Sequence, residues 1–299
     1  MRNQRVIGVD LGGTKILAGV LDRDGSILER HEVPTPTRSQ DALVKGIAAA
    51  VDQLLDPGVA ALGFGIPSVL DADGRSIETN NIPLVGIALA DVLGERFGLP
   101  AAVENDGNAA AFAEWRLGAG REVDGLVMLT LGTGVGGGVV LGGELYRGWA
   151  ELGHVVVQAD GPPCQGNCTG RGHLEAVASG NAADRAAEKL WGAGATAEQL
   201  VERAQAGDAE AVEALAGIGR LLGAAIGSFV NIFGVRLVVI GGGFGAAAAD
   251  FLFEPAVETA RREAVPPGRD LRIAKAKLGT DAGLVGAGLV AFEALDGLR

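Results

Sequence analysis

The feature that most constrains this chain is a pattern that occurs twice. Residues 5–9 form a short apolar run ending at Asp10, a glycine turn follows, and Ile16 to Leu21 resumes the apolar run. After Gly118-Ala119-Gly120 the same order returns. Leu126 to Leu131 reads as a strand, Gly132 to Gly138 as a glycine loop, and Val139 to Leu141 as a strand again. Two apolar runs flanking a glycine tip predict a β-hairpin. Two such hairpins predict two related halves with a cleft between them. The length agrees, because single cores stop growing at roughly 250–300 residues and this chain has 299. Other strands are predicted at Ala60 to Ile66, Ala101 to Glu104, Leu237 to Ile240 and Leu271 to Ala274. Helical spacing falls at 42–55, 89–97, 109–117, 196–233 with a break near Gly207-Asp208, 246–263 and 283–298. Alternating strands and helices indicate an α/β fold. The expected division is 1–118, closed by the C-terminal helix 283–299, and 119–282, which carries the cysteine loop.

Composition narrows the partners. The formal net charge of -12 repels nucleic acid and anionic lipid, so neither is expected as a partner. A small basic pocket for a nucleotide remains compatible with it. The most apolar runs read as strand-sized, short of the roughly 20 residues of a membrane span, and no charged, apolar leader precedes Val6. A cytoplasmic protein is expected. The chain has two cysteines, Cys164 and Cys168, in one loop. In a reducing compartment a pair so close reads as metal ligands rather than as a disulfide.

Five motifs carry chemistry. In Asp10-Leu11-Gly12-Gly13-Thr14-Lys15, glycines admit backbone N–H groups to a phosphate, Thr14 adds a donor, Lys15 a charge, and Asp10 can hold Mg²⁺. The bland alternative is a tight turn. Gly132, Gly134 and Gly137 spell G-x-G-x-x-G, but a short β-branched run follows where a dinucleotide fingerprint needs a helix. That makes a second phosphate-suited tip. Gly241-Gly242-Gly243 does lie between a strand and a helix, yet too late in the chain to open a Rossmann domain. Glu104-Asn105-Asp106-Gly107-Asn108 ends a strand and opens a helix. Asp106 there is either a general base for a hydroxyl attacking phosphorus or a helix N-cap. Finally, Glu151-Leu152-Gly153-His154 precedes Cys164-x3-Cys168-x4-His173 and Glu175. Two Cys and two His would close a tetrahedral site with no open position, so a structural zinc site is expected, the bland alternative being two free thiols and two surface histidines. His31 stands apart and has no assigned role.

Taken in order, these elements resemble the ROK family, named for repressor, open reading frame and kinase. The resemblance covers nearly the whole chain: DLGGTK at 10–15, GIP at 65–67, ENDGNAA at 104–110, LGTGVGGG at 131–138, ELGH at 151–154, the cysteine loop, and GGG at 241–243. It implies a two-domain actin-like ATPase fold, ATP and Mg²⁺ as cofactors, a hexose as substrate and a homodimer. It implies Asp106 as the catalytic base. Asn105, Glu151, His154, Glu175, Asn81 and Gly65 would contact sugar hydroxyls, with His154 also a zinc ligand. Gly12, Gly13, Thr14, Lys15, Thr133 and Gly134 would line the ATP phosphates, and Gly242 and Gly243 would lie near the adenosine. The sequence departs from the family pattern in places. His173 stands where a third cysteine is usual, Ser68 follows Gly65-Ile66-Pro67, and no tryptophan follows Asn81.

Within the family the rival to a kinase is a sugar-sensing repressor. That needs a DNA-binding domain, and the strand pattern starting at residue 5 argues against one. A nucleotide-dependent oxidoreductase is disfavoured by the late glycine cluster. Glu151 and Glu175 suit a free 2-OH better than an N-acetyl group, so ATP-dependent phosphorylation of glucose at its 6-OH is expected. Fructose, mannose and N-acetylated amino sugars are the alternatives, and polyphosphate is an alternative donor.

Overall fold

The computed structural model describes residues 4–79 and 82–297. Its chain contacts divide it into two units. The first comprises the chain up to Leu117, Arg147–Trp149 and the segment from Asp281 on. The second comprises Gly118–Tyr146 and Ala150–Thr280.

In the first unit, β1 (Arg5–Leu11), β2 (Lys15–Leu21), β3 (Ile27–Pro34), β4 (Val59–Ile66) and β7 (Ala101–Asn105) form one sheet in the order β3-β2-β1-β4-β7. β1 is antiparallel to β2 and parallel to β4. It is a central strand covered on both faces, which is why it reads as an almost unbroken apolar run. A small hairpin, β5 (Ser68–Leu70) with β6 (Ser76–Thr79), follows β4. Helices α1 (Gln40–Leu54), α2 (Leu89–Phe97), α3 (Asp106–Arg116) and the C-terminal α10 (Ala282–Leu295) cover the sheet. The start of α1 is set by Ser39, whose side chain accepts the Ala42 N–H, a side-chain N-cap. Leu43, Ile47, Val51 and Leu54 then recur on one face and are buried. α10 lies against β1 and β4 at close range. A Cβ on Gly63 would stand 2.7 Å from the Ala291 nitrogen and collide with the Ala287 carbonyl, so glycine at 63 is what admits the helix.

The second unit repeats this plan. β8 (Leu126–Leu131), β9 (Val135–Leu141), β10 (Glu144–Leu145), β11 (Leu237–Gly241) and β12 (Arg272–Lys275) are ordered β10-β9-β8-β11-β12. Antiparallel and parallel pairs fall in the same places as in the first sheet. Helices α4 (Leu174–Ala178), α5 (Gly180–Trp191), α6 (Ala197–Gln205), α7 (Ala209–Phe233), α8 (Gly243–Ala247) and α9 (Ala249–Glu263) complete it. α7 and α9 pack along a glycine stripe. A Cβ on Gly219 would stand 2.6 Å from the Leu252 carbonyl oxygen, and one on Gly227 2.8 Å from Glu263 Cβ.

Two expectations need correction. Gly136 to Gly138 belong to β9, which starts at Val135, so the tip is only Gly132 to Gly134. A Cβ on Gly137 would meet the Met128 carbonyl and Leu152, so these glycines serve close packing within a paired strand. And one apolar segment exceeds strand size: by length and composition α7 could cross a membrane, with 56% of its apolar window buried. It is apolar because it is the core helix of this unit, with Leu215, Leu222, Ile226 and Phe229 all interior.

Candidate active site

The predicted site residues fall into two groups, one in each unit. In the first unit they collect at the carboxyl ends of parallel strands, where open α/β sheets place their ligands. Asp10 of β1 pairs in register with Gly65 of β4. Gly65 in turn pairs with Glu104 of β7, and Ile66 with Asn105. The hairpin tip continues from Asp10. Gly12 donates its N–H to the Lys15 carbonyl at 2.9 Å and its carbonyl accepts from Thr35 Oγ1 at 2.7 Å. The N–H groups of Gly13 and Thr14 have no protein acceptor among the described residues, so they are available to an anion. Lys15 is exposed and paired with Glu32 at 2.8 Å. Asn81 lies outside the described residues.

Asn105, and not Asp106, is the N-cap of α3. Its side-chain oxygen accepts the Asn108 N–H at 3.0 Å, and its amide donates to the Ser68 carbonyl at 3.2 Å. Asp106 is the first residue of the helix and accepts the Gly107 N–H at 2.8 Å. Burial raises its pKa above the usual carboxylate range, against the pull of that N–H. Asp10 is raised to about 6, chiefly by burial and then by the charge of Asp106, with Lys15 opposing. The sheet end therefore carries two carboxylates whose basicity is increased by their surroundings.

Sequence reasoning passed over what holds this corner. Glu104 is 3% exposed. Its Oε1 accepts the Asn105 N–H and Asn108 Nδ2, both at 3.1 Å, and its Oε2 accepts Arg147 Nε at 3.1 Å. Arg147 also reaches Glu293 of α10 at 2.6 Å. Glu104 was legible as a member of its motif, whereas Arg147 is distant in sequence and carried no local signature.

In the second unit, the tip Gly132 to Gly134 sits at the end of β8, as the first tip does at the end of β1. The N–H groups of Thr133 and Gly134 have no protein acceptor among the described residues. Val135 donates its N–H to Glu175 Oε2 at 3.0 Å, and a Cβ on Gly134 would strike that carboxylate. Gly242 has φ of +81° and backs directly onto the Leu131 backbone, where any side chain would collide. Gly243 opens α8 with nothing near its Cα face. Glu151 precedes a single 3₁₀ turn, Leu152–His154, and its carbonyl accepts the His154 N–H at 3.0 Å. Ala150 just before it has φ of +43°, a left-handed conformation unusual for a residue with a side chain.

His154, Cys164, Cys168 and His173 converge, with one ligand atom from each lying within 4.8 Å of all the others. At the usual metal–nitrogen and metal–sulfur lengths for zinc, a tetrahedron has edges of about 3.3 Å between nitrogens and about 3.6 Å between nitrogen and sulfur. The observed separations are 3.2 Å for His154 Nδ1 to His173 Nδ1, 3.6 Å for Cys168 Sγ to His173 Nδ1 and 3.8 Å for Cys164 Sγ to His154 Nδ1. These four residues fit one tetrahedral ion. Burial, with Cys168 and Glu175 adding to it, pushes the Cys164 thiol up to about 11. A bound cation would reverse that shift by displacing the proton.

Comparison with known proteins agrees with this architecture. The chain is 35% identical to a glucokinase from Thermotoga maritima, over 99% of this chain and all of that one. It is 34% identical to a glucokinase from Streptomyces coelicolor, over 96% and 97% of the two chains. Among solved structures, a ROK family glucokinase from Streptomyces griseus in complex with glucose and AMPPNP superposes with a TM-score of 0.82 at 35% identity, covering 97% of this chain and 99% of that one. Its fold is that of the two-domain actin-like ATPases, and the ROK family model matches residues 6–294. This chain belongs to the ROK family.

Proposed function

We propose that this protein is an ATP-dependent glucose kinase that transfers the γ-phosphoryl group of ATP to the 6-OH of glucose. The observation that carries the reading is Asp106, a carboxylate of raised basicity on the first turn of α3, in a chain whose full-length relatives include glucokinases and, at 33% identity, N-acetylmannosamine kinases. In the reaction the 6-oxygen attacks the γ-phosphorus, the bond from that phosphorus to the bridging β,γ-oxygen breaks, ADP leaves, and Asp106 takes the hydroxyl proton. A base is most useful when its pKa lies nearer the working pH than a surface aspartate's. The N–H groups of Gly13, Thr14, Thr133 and Gly134 are assigned to the ATP phosphates, with Gly12 and Lys15 shaping the first tip and Gly242 and Gly243 near the adenosine. Asp10 is assigned to Mg²⁺, which would restore its ionised form.

Asn105, Glu151, His154, Glu175 and Gly65 are assigned to sugar hydroxyls. If His154 gives Nδ1 to a metal, its Nε2–H stays a donor for a hydroxyl of fixed orientation. The metal is assigned as a structural zinc, because two thiolates and two imidazoles leave no open position. Acceptors placed for hydroxyls discriminate, because a substrate lacking one leaves a polar group unpaired. Comparing kcat/KM for glucose, mannose and N-acetylglucosamine by coupled ADP release tests the reading. Glucose is expected first, mannose slower and N-acetylglucosamine poor. A preference for the acetylated sugar overturns the glucose assignment and leaves a kinase of another hexose.

A further inference from the structure

Gln165 lies between the two cysteines, and the chemistry above makes no use of it. Its side-chain nitrogen is 3.4 Å from the Thr133 carbonyl, 3.4 Å from the Glu175 carbonyl and 3.3 Å from Ser179 Oγ. Its side-chain oxygen accepts from Asn181 Nδ2. An amide has two hydrogens, so three acceptors share them and the bonds are long, yet together they fix where the group sits. One side chain thus touches the glycine tip, α4, the cap of α5 and α5 itself.

The tip is held from the same side by further bonds. The Gly132 carbonyl accepts the Gly180 N–H at 2.7 Å and the Thr133 carbonyl accepts the Asn181 N–H at 3.4 Å. Glu175 joins the two ends of this arrangement: its Oε2 takes the Val135 N–H at 3.0 Å, and its Oε1 lies 3.8 Å from Cys164 Sγ. Backbone bonds close the base of the cysteine loop, with the Val157 N–H on the Gly172 carbonyl and the Gly172 N–H on the Pro162 carbonyl, both at 2.8 Å. The Cys164 N–H donates to the Gly170 carbonyl at 2.9 Å and the Cys168 N–H to the Gln165 carbonyl at 3.2 Å. Gln165 follows one cysteine and its carbonyl holds the N–H of the other, so an ion on both sulfurs restrains Gln165 at the head of the loop, where its side chain lies on the tip.

We propose that Gln165 is a positioning residue that transmits the state of the metal centre to the 132–134 tip, so that metal and nucleotide strengthen each other's binding. The proposal rests on the assignment of ATP phosphates to that tip and of a metal ion to the His/Cys cluster. Such coupling is reciprocal: the factor by which metal raises nucleotide affinity is the factor by which nucleotide raises metal affinity.

The test uses the full chain with its metal, the same chain stripped with a chelator, and Gln165→Met, which keeps the length and removes the donors and the acceptor. AMPPNP affinity is measured by calorimetry, metal content by elemental analysis, and hydrogen exchange at the amides of 132–135. Stripping is expected to weaken AMPPNP binding on the order of tenfold, within the usual range of coupling factors, and to speed exchange at Val135. Gln165→Met is expected to keep its metal, lose AMPPNP affinity by a similar factor, and raise KM for ATP while KM for glucose stays put. A metal-loaded Gln165→Met that binds AMPPNP like the parent overturns the proposal. If the variant sheds its metal, the parent decides: equal Val135 exchange with and without metal overturns the coupling, and faster exchange without it supports the coupling. A parent that binds no AMPPNP defeats the kinase reading and the nucleotide half of the proposal, and Val135 exchange then decides only whether the metal centre holds the tip.

Discussion

Asp10, the next-to-last residue of β1, lies against Gly283 of α10, where a Cβ would stand 2.6 Å from its Oδ2. Its pKa rises from 3.8 to about 6 on folding. Between those values the native state keeps a proton that the unfolded chain has lost. Stability therefore falls as pH rises through that window, and the deficit persists above it. At about 1.4 kcal/mol per unit the deficit is about 3 kcal/mol at neutral pH. Asp10→Asn should accordingly raise the Tm of the ligand-free protein at pH 7.5 and leave it nearly unchanged at pH 3.5. An equal gain at both pH values contradicts this account of Asp10. At this scale the sequence was informative about which residues cluster and less so about their local roles. Whether Asp106 was a base or a cap could not be read from Glu104-Asn105-Asp106, because every member of that run is a competent capping or polar residue. The backbone resolves the capping half of the question: Asn105 holds φ of −60° and ψ of 143°, the extended geometry of a cap, and Asp106 is already helical.

Elements with a strong apolar period were legible almost to the residue, among them β4, β8, β11 and α2. β3 was not, because it is an edge strand whose Glu29, Arg30 and Glu32 face solvent, and an edge strand needs no buried alternation. The start of β9 was missed because glycine there signals a turn in sequence but serves close packing in space. The cysteine loop was visible from its spacing, whereas Gln165 was not, since a glutamine carries no pattern of its own. The metal assignment belongs to this scale. Purified protein is expected to hold one zinc per chain, lost in Cys168→Ser, with the loop from 155 to 173 loosened and the sugar requirement raised before folding fails. Metal-free protein of full activity removes the assignment.

For the whole molecule, the two sheets share one strand order and one pattern of directions, which explains why glycine tips recur in sequence. Each tip follows the first strand of its unit, at the strand end where parallel α/β sheets bind ligands. That regularity made the family legible from motif order alone, although each motif is weak by itself. The Arg147 partner of Glu104 and the partners of the 132–134 tip were hidden because they are contacts between segments far apart in the chain. The central claim is that Asp106 accepts the proton while ATP phosphorylates glucose at O6. The most direct measurement is the ³¹P spectrum and ADP yield of the product from glucose and ATP, for the parent and for Asp106→Asn, which keeps the size and removes the base. The parent is expected to give glucose 6-phosphate with equal ADP, and the variant to turn over at least about a hundredfold slower with its fold and AMPPNP binding retained. A variant that turns over near the parent rate, or a parent that places no phosphate on the 6-OH, would contradict the account.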